Sequence, residues 1–185
     1  MRIAITGVAG TGKTTLGRLI SSKTSLEYIH DVNDTVLNRM GYENGGALFN
    51  ARGQEGMIMI DWHMKAIAAK IESDRTRDNY VTEKGVFDFG ARWFARMYPE
   101  AKESHYETIL SAMNQGANLY DKIIFLPLNL ERGVEDNGMR TTDPMQRRRF
   151  DWLLRGIYAE FGVDYFEYDF DFSKPPEEVI NDLNL

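Results

Sequence analysis

Residues 7–14 read GVAGTGKT. They sit directly between residues 2–6, an apolar run that reads as a buried strand, and a segment where Leu16, Leu19 and Ile20 recur at helical spacing. A strand passing into a helix through the pattern G-x-x-x-x-G-K-[ST] leaves little freedom in how the chain begins. Gly7, Gly10 and Gly12 let the backbone turn tightly, so that successive N–H groups, that of Thr11 among them, point inward at phosphate oxygens. The new helix adds its positive end. In this reading Lys13 reaches the outer phosphates, the Thr14 hydroxyl coordinates Mg2+, and Thr15 is a further phosphate contact. The plainer alternative is a glycine-rich turn with a stray lysine. The pattern lies between the strand and helix that phosphate binding requires, so the expected ligand is a nucleoside triphosphate.

Beyond this unit, short β-like runs alternate with helical periodicity, and no linker, repeat or low-complexity segment intervenes. Residues 26–30, "NYVTE", "DKIIFLPL" and "VDYFEYDF" read as strands. Met57, Ile60, Met64, Ile67 and Ile71 mark one face of a long helix. Phe89, Trp93, Phe94 and Met97 mark another, ended by Pro99, and Tyr106, Ile109, Leu110 and Met113 a third. Phe150, Leu153, Leu154, Ile157 and Phe161 follow at helical spacing, and "PPEEVINDL" closes the chain with prolines suited to a first turn. Helices between nearly all the strands predict an α/β architecture with a mostly parallel sheet covered on both faces. A length of 185 residues, 43% apolar, predicts a single domain over residues 1–185.

A net charge of −6 gives no general attraction to nucleic acid or anionic membrane, so any phosphate-binding surface must be local. The absence of cysteine excludes disulfides and cysteine-ligated metals. His30, His63 and His105 fall on separate segments without metal-ligand spacing and read as ordinary surface or core residues. No apolar run reaches membrane-spanning length, and a strand starting at the first residues leaves no room for a signal peptide, so a cytoplasmic protein is expected.

In an open parallel sheet, ligands collect at the carboxyl ends of the strands, which directs attention to the polar residues there. Three places qualify: His30 with Asp31, Glu83 with Lys84, and the segment after "KIIFLPL". A carboxylate at Glu83 can accept a proton from an acceptor hydroxyl or hold Mg2+ through water. Asp88, Arg92 and Arg96 follow, and the two arginines, four apart, share a helix face from which they can grip a phosphate. The alternative for the pair is a solvated face with aliphatic stems laid over aromatics. Asp61 is a further candidate for acceptor recognition from its helical register, as Asp31 is from its strand end. The third place, "LNLERGVEDNGMRTTDPMQRRRF", carries Arg132, Arg140 and the run Arg147, Arg148 and Arg149. Arginine-bearing lids neutralise charge on a transferring group. Asp143 and Pro144 resemble a helix start, and at about 100° per residue at most one or two of the three adjacent arginines can face one ligand. Arg140, in the glycine-bearing loop before that helix, is the stronger lid candidate. Trp62, Trp93 and Trp152 read as core packing, with base stacking as the alternative.

With "GVAGTGKT", "TEKGVFD" at the end of a middle strand and "EDNGMR" before an arginine-rich helix, all in order, the chain resembles the P-loop nucleoside and nucleotide kinase superfamily. Within it the chain looks like the small domains of the ribosylnicotinamide kinase and thymidylate kinase group. The resemblance implies a three-layer fold with a five-stranded parallel sheet in order 2-3-1-4-5, Mg·ATP at the phosphate loop and an acceptor pocket beside Glu83. It also implies a lid over about residues 130–149 containing Arg140 and Arg147. Where the superfamily commonly has Asp-Arg, or Glu-Arg in deoxynucleoside kinases, this chain has Glu83 and Lys84, which loses a two-pronged phosphate grip. Motor and switch ATPases place an acid after a long apolar strand, and "KIIFLPLN" ends without one. The expected activity is therefore phosphoryl transfer from Mg·ATP to a small nucleoside or nucleoside monophosphate. The alternatives are a kinase acting on a nucleotide within DNA or RNA and a non-catalytic NTP-binding regulatory module. Base, sugar, the choice of ATP over GTP and oligomeric state are not encoded in these motifs.

Overall fold

A computed structural model of the chain describes residues 1–43, 47–48, 56–96, 98–134 and 142–185. Its strands are β1 (Arg2–Gly7), β2 (Glu27–Ile29), β3 (Tyr80–Glu83), β4 (Lys122–Leu126) and β5 (Phe166–Glu167). Its helices are α1 (Lys13–Lys23), α2 (Asn33–Arg39), α3 (Gly56–Arg75), α4 (Val86–Arg96), α5 (Glu103–Gly116), α6 (Pro144–Glu160) and α7 (Pro176–Asp182). The strands form one sheet in the order β2-β3-β1-β4-β5, every pair parallel. This is the expected order, and it places β1, and with it the phosphate loop, at the centre.

Two apolar cores cover the sheet, because alternate residues of the central strands point to opposite faces. Ala4, Ile123 and Phe125 face a large cluster built from α2 to α6, while Ile3, Ile5, Ile124 and Leu126 face a smaller one under α1 and α7. Strands buried on both sides must be apolar throughout, which is why β1 and β4 read as unbroken hydrophobic runs. Asp143 caps α6, accepting from the Gln146 N–H at 2.7 Å with Pro144 in the first turn, as its sequence predicts.

Several elements differ from the expectation. The last strand pairs over two residues only, and from its first residue onward Phe166, Tyr168, Phe170 and Phe172 form a ladder of rings with successive centroids 6.2, 6.3 and 4.6 Å apart. Helix α2 is not signalled by periodicity because seven residues bury only Val36, Leu37 and Asn33. Met57 and Leu110 are exposed on helices whose other predicted face residues are wholly or partly buried. Trp152 is 63% exposed and does not pack in the core, since it points from α6 toward solvent while Leu154, Ile157 and Tyr158 take the buried side. Trp62 and Trp93 are buried as predicted, and Met97 lies outside the described residues. Among the described residues no helix is long and apolar enough to cross a membrane.

Candidate active site

The loop from β1 to α1 is held by its own backbone. Gly7, Gly10 and Gly12 have φ of 131°, 81° and 100°, and at Gly12 a Cβ would stand 2.6 Å from the Phe172 ring, so both conformation and space require glycine there. Gly12 is the N-cap of α1 and has no side-chain acceptor, which leaves the first-turn N–H groups available to an anion. The Thr11 hydroxyl donates to the Val8 carbonyl at 2.9 Å, and the Lys13 ammonium donates to the carbonyls of Gly7 and Val8, each at 2.7 Å. Lys13 is buried, and loss of hydration pushes its ammonium down to about 8, a shift that nearby Asp88 opposes.

Strand β3 lies against β1 and ends at Glu83, whose buried carboxylate meets the loop directly. The Thr14 hydroxyl donates to Glu83 Oε2, and Thr15 is exposed beside it. His30, just past β2, places Nδ1 2.7 Å from Glu83 Oε1 and Nε2 3.6 Å from Asp34. The Tyr28 hydroxyl stands 3.5 Å from His30 Nδ1, and burial, reinforced by the Glu83 charge, pushes the phenol up to about 12. Lys84 takes φ 64°, a left-handed conformation uncommon outside glycine, and its ammonium pairs with the Asp31 carboxylate. Burial alone would raise the Asp31 carboxyl, but the charges of Lys84 and Arg92 override it and hold the group at about 2. Asp31 also accepts from the Asn33 backbone and side-chain amides at 3.1 and 2.6 Å.

The remaining predicted residues separate into groups. Asp88 is buried and spent on the Thr6 hydroxyl at 2.8 Å and the Gly85 N–H at 2.9 Å, and burial pushes its carboxyl up. It fastens the end of β1 to the start of α4. Arg92 and Arg96 lie with their guanidinium carbons 5.9 and 5.7 Å from the centre of the Trp62 ring. Asp61 is exposed and paired with Lys65 at 2.7 Å, outside the network around Glu83. Of the three adjacent arginines only Arg147 turns inward. It is 4% exposed, sends Nη2 to the Ala9 carbonyl at 3.4 Å, and buries Nε without a hydrogen-bond partner. Burial lowers the pKa of this guanidinium, and a cation so poorly satisfied against a phosphate loop is poised for an anion. Arg140 lies outside the described residues.

Two features escaped sequence reasoning. His30 was visible at a strand end but offered no sign of its bond to Glu83, which comes from a different strand. Arg132 donates to the Phe170 carbonyl at 2.8 Å and sets its guanidinium 5.3 Å from the centre of the Phe172 ring, beside Gly12. Among the described residues no cluster of three or more histidines and acids could hold a metal by itself. The paired oxygens of Thr14 and Glu83 suit Mg2+, which takes few protein oxygens and completes its shell with phosphate and water.

A family model described as an AAA domain matches residues 2–173. Among solved structures, deoxyadenosine kinase from M. mycoides with bound dATP aligns over 100% of both chains at 16% identity with a TM-score of 0.67. Shikimate kinase from Acinetobacter baumannii in complex with shikimate aligns over 99% of this chain and 90% of its own, at 15% identity and a TM-score of 0.58. Shikimate kinase from Aquifex aeolicus aligns over 100% and 94%, at 22% identity and a TM-score of 0.53. No curated protein matches the chain in sequence. The likeness shows that this chain shares its fold with these kinases.

Proposed function

The chain belongs to the AAA domain family, and from that premise we propose that it transfers a phosphoryl group from Mg·ATP to a small nucleoside or nucleoside monophosphate. The observation that carries this reading is the hydrogen bond between Thr14 and Glu83. It joins a phosphate-binding half, made of the glycine loop, Lys13 and Arg147, to an acceptor half, made of Glu83, His30, the Asp31–Lys84 pair and Arg92. Phosphoryl transfer needs donor phosphate and acceptor hydroxyl at one point, with cations around them and a base on the acceptor side. The fold neighbours named as deoxyadenosine and shikimate kinases support a small-molecule acceptor. In this reading residues 1–185 form one kinase domain that acts in the cytoplasm, with residues 130–149 as its lid.

Within the site, Lys13 and the loop N–H groups bind the donor phosphates, with Thr11 and Thr15 at their margin. Thr14, with Glu83 behind it through water, would hold magnesium, which supplies charge neutralisation on the transferring group. Glu83 orients the acceptor hydroxyl and takes its proton, Lys84 and Asp31 line the acceptor pocket, and Arg92 with Arg96 present positive charge over Trp62. Arg147 and Arg140 close over developing charge, and the Arg132–Phe172 surface receives the base by stacking. Asp88 braces the site, and Asp61 pairs with Lys65 on the surface. Arg147→Met is expected to lower turnover about a hundredfold, while thermal stability holds or rises, because burial works against this charge. Steady-state rates with melting curves check both parts.

A second reading is favoured by one observation. Trp152 stands in solvent on the helix that also exposes Arg148 and Arg149, an arrangement suited to base stacking and phosphate contact along a nucleic acid. The deciding experiment measures ADP release from Mg·ATP against nucleosides including pyridine nucleosides, nucleoside monophosphates, and single- and double-stranded DNA. Stimulation by either small-molecule pool supports the proposal and assigns its class. Stimulation by DNA alone replaces it with the second reading, and no stimulation, with ATP still bound, makes the chain a non-catalytic nucleotide-binding module.

A further inference from the structure

Beneath the acceptor half lies a buried polar unit that the proposed chemistry does not use. Lys70 and Asp74, one turn apart on α3, are almost completely shielded from solvent, with Lys70 Nζ 3.0 Å from Asp74 Oδ1. Lys70 donates to the Thr82 hydroxyl at 2.7 Å, and Thr82 donates onward to the Ile29 carbonyl at 3.2 Å. Asp74 Oδ2 accepts from the Tyr120 hydroxyl at 2.5 Å, and that hydroxyl accepts the Val86 N–H at 3.0 Å. The Tyr80 hydroxyl donates to the Asp74 carbonyl at 3.2 Å.

These bonds end at three residues that frame the acceptor residues: the Ile29 carbonyl, the Thr82 side chain and the Val86 N–H. Ile29 precedes His30 and Asp31, Thr82 precedes Glu83, and Val86 opens α4 directly after the turn at Lys84 and Gly85. Lys84 is held at φ 64°, a conformation that a lysine keeps only where its surroundings fix it from both sides. Hydrophobic burial does not require such a unit: replacing a buried ion pair with well-packed apolar residues often leaves stability unchanged or raises it. Resting on the proposed phosphoryl transfer, we infer that Lys70, Asp74 and Tyr120 are positioning residues that set the Glu83–Lys84 turn against the phosphate loop.

The test separates position from stability. In the double variant Lys70→Met, Asp74→Leu the melting temperature is expected to hold or rise and ATP binding to stay within about twofold, while turnover with the acceptor pool that works on the unaltered protein falls about tenfold or more. Amide hydrogen exchange at Lys84 and Val86 is expected to speed up about tenfold, with the amides of Ile5 and Ile124 unchanged. Tyr120→Phe, which keeps the ion pair, should move exchange and turnover in the same direction by less. If turnover follows melting temperature, so that the stable double variant is fully active, the unit is structural and the inference fails. Unchanged exchange at Lys84 and Val86 overturns it as well. Should the unaltered protein transfer phosphate to no acceptor, the proposed function fails on its own account, and the exchange measurement alone decides this one.

Discussion

Lys13→Ala is expected to lower phosphoryl transfer by about a thousandfold or more, a loss of about 4 kcal/mol of transition-state stabilisation. The ammonium is buried and held by two loop carbonyls at 2.7 Å, so its charge acts in a dry setting where no solvent cation replaces it. Near-normal transfer by the purified variant would remove the central claim. The same burial makes the opposite forecast for stability. Folded Lys13 titrates near 8 and unfolded lysine near 10.5, so the unfolded chain binds the extra proton between those values. Its contribution to stability is therefore unfavourable near neutral pH and improves as pH rises through that window. Lys13→Met should melt higher than the unaltered protein at pH 7, and the difference should shrink by pH 10. Paired melting curves at the two pH values check the sign.

Glu83→Gln is expected to depress turnover about a hundredfold to ten-thousandfold while leaving ATP affinity within a few-fold. The amide keeps the shape of the side chain and an oxygen for the Thr14 hydroxyl, but it cannot take a proton from an acceptor. Single-turnover rates beside equilibrium ATP binding separate the possibilities. Equal losses in both would remove the proton-accepting role and leave Glu83 acting only through the metal or the fold. Because His30 sits 2.7 Å from the carboxylate, the substitution also changes the partner of that imidazole, so His30→Gln belongs in the same series.

How much of this was legible in the sequence depends on how local each feature is. The phosphate loop is carried by eight consecutive residues, and β1, β3 and β4 by apolar runs, so their identity and the ends at which polar residues gather could be read directly. The sheet order came with the family resemblance. Arg147 was singled out among the three arginines by the resemblance; its contact with Ala9 follows from the rotation of α6 and its start at Pro144. Lys70 and Asp74 could not be read, because charges at helical spacing describe a solvated face equally well until something is packed over them. The bonds of His30 to Glu83 and of Lys84 to Asp31 join segments remote in sequence, and only strand pairing brings them together. Trp152 fails for the converse reason: an aromatic beside an apolar stripe has the spacing of a core residue and lies just outside its arc.

The three tryptophans occupy three surroundings. Trp93 is enclosed by the rings of Tyr98 and Tyr106 at 4.7 and 5.5 Å, Trp62 lies buried beneath two guanidinium groups, and Trp152 stands in solvent. The molecule thus carries unlabelled optical gauges. From their exposure, a red-shifted, iodide-quenchable emission is expected from Trp152, reporting on α6, and a blue, shielded emission from the other two. Of these, Trp62 changes when Arg92 or Arg96 moves off its ring. Fluorescence from one cuvette is therefore expected to report ligand arrival at the proposed acceptor side separately from any change in the surroundings of α6.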